Sequence, residues 1–185
     1  MRCFPSLLLP MSETQMRSAT WMRFIRLFAV LFSLTFSTSL GGYWFLGSVC
    51  RQERVFGALF RMFLYHYEHP AQYLGLVAFI YALVAAAWGI RTRSTGWRMH
   101  AGLVVVIVTT LLLSSAVGGV LWTFHDMQAG YFPPWDRRLG IFAEGAMTGV
   151  QIGWLIVLLS FPLNLFCTLF AYVVTCYFVQ RDRSA

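Results

Sequence analysis

Three runs of this chain, 71–90, 101–124 and 146–179, contain no charged residue, and a fourth, 24–49, contains only Arg26. Each can cross the ~30 Å hydrocarbon core of a bilayer, for which a helix needs roughly 20 residues. Lipid has nothing to offer a free amide or carbonyl, so a spanning segment must pair its own backbone groups. Runs this continuously apolar lack the alternation of barrel strands, which leaves helices. The expectation is an all-α integral membrane protein with four transmembrane helices over about 24–49, 71–90, 101–124 and 146–179, packed as a four-helix bundle in one membrane domain of residues 23–184. The fourth run is longer than a bilayer requires and contains Pro162, so a kink, a tilt or an extension beyond the bilayer is expected to absorb the excess.

Charge supports the same reading. Only 11% of the 185 residues are charged and 58% are hydrophobic, whereas about a quarter of a soluble domain is charged. A net charge of +7 would suggest nucleic acid as the partner of a soluble protein. Here the arginines mostly flank the apolar runs, where they set topology instead, and no nucleic-acid partner is read from them. Arg17, Arg23 and Arg26 stand at the first run, Arg91, Arg93 and Arg98 fill the link between the second and third, and Arg181 and Arg183 follow the fourth. The positive-inside rule then places both termini in the cytoplasm of a cell with a bacterial-type inner (cell) membrane, and turns 50–70 and 125–145 outward.

Residues 1–22 read as an N-terminal cytoplasmic segment. Met11, Met16 and Met22 offer alternative starts, so the stretch before Met11 or Met22 is a candidate for absence from the native chain. The first apolar run exceeds an ordinary signal core and lacks a clear small-x-small cleavage site, which favours an uncleaved anchor.

The two halves echo each other. Gly41-Gly42 recurs as Gly118-Gly119, and Glu68 recurs as Glu144, in register to within one residue. Two duplicated helical hairpins related by an axis along the membrane normal would produce this pattern. The common gathering of small and aromatic residues near helix ends is the alternative. Gly145, Gly149 and Gly153 form a GxxxGxxxG ridge, which lets helix backbones approach closely, against another helix of the same chain or an external subunit. Residues 51–65 have the spacing of an amphipathic interfacial helix, and Pro70 suits the first turn of the helix that follows.

Groups suited to chemistry gather on the side read as outward: His66, Glu68 and His69 before the second helix, His125 and Asp126 after the third, and Glu144 before the fourth. Imidazole and carboxylate are ligands for a divalent metal, and two imidazoles such as His69 and His125 can hold a b-type haem. Glu68 and Glu144 would also complement the positive end of a helix dipole if each stands at a helix start. The competing reading makes all six interfacial residues within an aromatic belt of Tyr65, Tyr67, Trp122, Tyr131, Phe132 and Trp135. Cys3, Cys50, Cys167 and Cys176 form no CxxC pair and read as packing residues. No catalytic set stands out, and no ionisable residue lies deep in a run to mark a proton or ion path.

These observations lead first to a small multi-pass protein without a cofactor, acting through intramembrane contacts with other membrane protein subunits and with the lipid bilayer, as a subunit, assembly factor or regulator of a larger complex. An outward-facing redox protein holding haem b or a divalent metal is the second reading. An oligomeric small transporter is the third.

Overall fold

The computed structural model describes residues 13–49, 70–92, 95–131, 138–159 and 163–184, and within its helices the side chains of 13–17, 46, 47, 49, 70, 138, 139, 153–159, 163 and 182–184 are outside that description. Among the described residues there are five helices: α1 (Glu13–Val49), α2 (Pro70–Arg91), α3 (Trp97–Gln128), α4 (Arg138–Leu159) and α5 (Leu163–Ser184). Three stretches, Ser18–Phe45 in α1, Ala71–Arg91 in α2 and Trp97–Gln128, the whole of α3, are long and apolar enough to cross a membrane. The described residues are helical throughout apart from short turns, and the three apolar helices point to a membrane protein.

Several boundaries differ from the sequence expectation. Helix α1 begins at Glu13, so half of the segment read as an N-terminal tail is helical. Helix α3 begins at Trp97 and runs to Gln128, which puts His125 and Asp126 in its last turn rather than in a loop. Its end is a Schellman cap. Gly130 has φ 79°, its amide donates to the Met127 carbonyl at 3.2 Å, and the Tyr131 amide donates to the Asp126 carbonyl at 2.9 Å. A left-handed glycine satisfies the last carbonyls in this way. In the run 146–179 two helices are described, α4 as far as Leu159 and α5 from Leu163. Residues 160–162, between the two, include Pro162. Proline lacks the amide donor and its ring crowds the preceding turn, a chemistry that ends helices as readily as it bends them.

The principal contacts follow the order α5–α1–α2–α3–α4. Helix α5 also meets α2 at Tyr81–Thr175 and α3 at His100–Tyr172, which makes the row a packed cluster of helices. Helix α2 lies at its centre and is the most buried, because its small residues Ala78, Ala82, Ala85 and Ala86 let neighbours approach. Leu27, Leu31 and Thr35 on α1 and Ala171, Thr175 and Val179 on α5 are buried at i, i+4 spacing, the geometry of one helical stripe. A Cβ added to Gly89 would stand 2.8 Å from Leu27 Cδ2 and 3.2 Å from Val179 Cγ2, so three helices meet at this glycine. Near the other end the side chains of Cys167 and Ser39 are hydrogen-bonded. Helix α5 therefore runs antiparallel to α1, and its C-terminal end lies beside the N-terminal end of α1.

The two helical hairpins are held by different means. Phe24, Phe28, Phe32 and Phe36 stack along α1 with ring centroids 6.3, 6.0 and 5.7 Å apart, and Phe79 of α2 meets Phe28 and Phe32 edge-on at 5.4 and 6.3 Å. Edge-to-face pairs of this kind add about 0.5–1.5 kcal/mol beyond area burial. In the α3–α4 hairpin glycines take the place of aromatic rings.

Candidate functional site

A seam of small residues positions the polar end of the α3–α4 hairpin. Gly119 stands against Gly145 and Gly149 so closely that an added Cβ would lie 2.0 Å from the Gly145 carbonyl oxygen and 2.9 Å from Gly149 Cα. A Cβ on Gly149 would come 2.2 Å from the Ser115 carbonyl oxygen, and one on Gly145 would come 2.0 Å from Thr123 Oγ1. Each obstacle to Gly119 and Gly149 is backbone, which cannot rotate away. Gly118 faces the Tyr73 ring at 4.0 Å, and Gly41 has open space around it. Gly42 is half-buried, and the surroundings of Gly153 lie outside the described residues.

One turn beyond this seam stand the two residues that the sequence marks most sharply. Asp126 Oδ2 accepts a hydrogen bond from Trp122 Nε1 at 2.6 Å, across one turn of α3. His125 Nδ1 lies 3.4 Å from Asp126 Oδ1, with the imidazole more exposed than the carboxylate. An aspartate in a last helical turn opposes the helix dipole, and its indole partner offsets that cost. The arrangement fixes Trp122, itself exposed, at the end of the helix. An indole held at this position is an interfacial anchor.

Glu144 is exposed in the second turn of α4, because that helix begins at Arg138 and has no acidic residue in its first turn. The expectation that Glu144 stands at a helix start is thus corrected: the dipole's influence fades within the first turn. His66, Glu68, His69 and the segment 51–65 lie outside the described residues, as do Cys3, Cys50 and the loop carrying Pro133 and Pro134. Among the described residues no three or more His, Cys, Asp or Glu side chains gather closely enough to hold a metal ion. His125 and Asp126 come together there.

Two polar contacts went unnoticed in the sequence. The Tyr81 hydroxyl donates to the Ala171 carbonyl at 3.0 Å and lies 2.7 Å from Thr175 Oγ1, so a tyrosine of α2 and a threonine of α5 share one buried polar junction. His100 Nδ1 lies 2.5 Å from the Tyr172 hydroxyl, with the rings stacked at 5.9 Å, which ties α3 to α5. Placing the third helix's start at 101 left His100 in a link, where its partner could not be foreseen. The spacing of Tyr81 on α2 and of Thr175 on α5 was visible, but nothing local pairs two positions 94 residues apart.

Compared with known protein families, characterised proteins and solved structures, the chain shows no significant match to any. The functional reading rests on the molecule's own geometry.

Proposed function

We propose that the protein works by intramembrane contact, as a small multi-pass subunit, assembly factor or regulator of a larger membrane complex. The observation that carries this reading is the two-faced character of α5, whose stripe of Ala171, Thr175 and Val179 is buried against the chain's own helices. Helix α5 is engaged on one side only, leaving Leu165, Phe166, Leu169, Val173 and Tyr177 exposed along the other. That face is apolar at helical spacing, ringed by large side chains, and suited to receive a further transmembrane helix as readily as lipid tails. The polar groups described nearby are engaged in internal junctions that position helices, with Tyr81, Thr175, His100 and Tyr172 all tied across the α5 contact. In this reading the arginine-rich end faces the cytoplasm and the His125–Asp126 end faces outward.

Extraction in a mild detergent, followed by mass spectrometry and an absorption spectrum of the same fraction, tests it. Co-elution of another integral membrane polypeptide in fixed ratio is expected. Elution alone with a Soret band or a stoichiometric metal would overturn the proposal in favour of an outward redox site at His125 and its neighbours.

A further inference from the structure

The helix ends bring together arginines that are distant in sequence. Gly89 meets Leu27 and Val179, and Gly102 lies against the Trp88 indole, so α1, α2, α3 and α5 all reach one end of the helix cluster together. Arg23 and Arg26 lie within one turn of Leu27, Arg91 is two residues past Gly89, Arg181 is two past Val179, and Arg98 is one turn before Gly102. At 1.5 Å of rise per residue, five guanidinium-bearing positions from four helices fall within a slab about 6 Å thick. Arg26, Arg91, Arg98 and Arg181 are exposed. The sequence supplies few counter-charges here: of its seven acidic residues only Glu13 and Asp182 belong to the helix segments at this end. Trp97, 75% exposed, and Trp21, 62% exposed, stand beside the arginines. Indole rings settle at the headgroup level, so the guanidinium groups are held at the depth of lipid phosphates.

We propose that this end is a binding surface for the phosphodiester headgroups of anionic phospholipids, engaged by arginines from several helices at once. A bilayer is the only source of phosphate that reaches this depth in a fixed plane, and guanidinium binds its oxygens in a bidentate fashion. Basic surfaces formed between transmembrane helices bind anionic headgroups for the same reason. Topology alone requires arginines near the membrane; it does not require them to converge from four helices.

The test is native mass spectrometry of the protein reconstituted with equimolar phosphatidylglycerol and phosphatidylcholine of matched chains. Retained phosphatidylglycerol should exceed phosphatidylcholine by about fivefold or more, the effect of only one to two well-placed arginines. The enrichment should fall toward unity in a protein carrying Arg26→Gln, Arg91→Gln, Arg98→Gln and Arg181→Gln, and should persist when Arg138→Gln is introduced at the opposite end, where α4 begins. Equal retention of the two lipids by the unaltered protein would overturn the proposal whatever the variants do. Enrichment that the fourfold change leaves intact, or that Arg138→Gln abolishes equally, would also overturn it. Added inorganic phosphate at millimolar concentration should not displace the lipid; displacement would assign the surface to a soluble anion instead.

Discussion

At the scale of single residues, glycine does two different things in this chain. Gly41 and Gly118 occupy corresponding places in the sequence echo, yet Gly41 has nothing within 4 Å and Gly118 touches only the edge of Tyr73. The tight approach belongs to Gly119, whose Cβ position is already occupied by the Gly145 carbonyl. Gly119→Ala should therefore cost at least about 2 kcal/mol, since the backbone of α4 must move away to admit a methyl group. Gly41→Ala should be neutral or stabilising by up to about 1 kcal/mol, since only helix propensity changes. Unfolding by dodecyl sulfate titration in mixed micelles separates the two. The result also bears on Gly149. Its nearest neighbours, Ser115 and Gly119, belong to the same chain, so a bulky substitution there reports on folding and not on an external interface.

At the scale of elements, what matters is how each helix is attached. Helix α5 joins the other helices through a stripe of Ala171, Thr175 and Val179, and the Tyr81 hydroxyl is the polar part of that junction. Tyr81→Phe removes the donor to Ala171 and leaves the Thr175 hydroxyl, fully buried, without its tyrosine partner. A loss of about 1 kcal/mol is expected, the usual worth of a hydrogen bond between helices in a membrane. Cysteine accessibility at Cys176 should rise with it if α5 loosens from α2; unchanged labelling and unchanged stability would contradict the role given to Tyr81. The helices themselves were legible because apolar length is a local property: α2 and the core of α3 fall where 71–90 and 101–124 predicted. The ends of α3 were not, since Trp97 to His100 and His125 to Gln128 are polar enough to resemble loop, and only the Gly96 turn and the Schellman glycine Gly130 mark the true boundaries. For the last run Pro162 was the signal read in the sequence, and it lies outside the described residues. A kink and a break look alike in sequence, because the difference lies in which neighbours receive the two halves.

For the whole molecule, five helices stand among the described residues where four runs were read, and α4 and α5 have their principal contacts on different helices, α3 and α1. Pattern alone gives each helix an apolar circumference without saying which side is covered, so the assignment of α4 to α3 and of α5 to α1 had no sequence signal. The polar outer residues illustrate the same limit. His125 and Asp126 were conspicuous and do meet, but the partner that holds Asp126 is Trp122, a residue read only as belt. Both the arginine-rich end and the exposed face of α5 are properties of the assembled helices. If this face of α5 meets another protein, site-specific photo-crosslinking in cells will capture it, with the crosslinking amino acid placed at Val173, which is 61% exposed on α5. A discrete adduct with one other membrane polypeptide is expected from Val173, and none from Ala171, which is buried against the chain's own helices. Adducts with lipid alone at Val173 would contradict the claim.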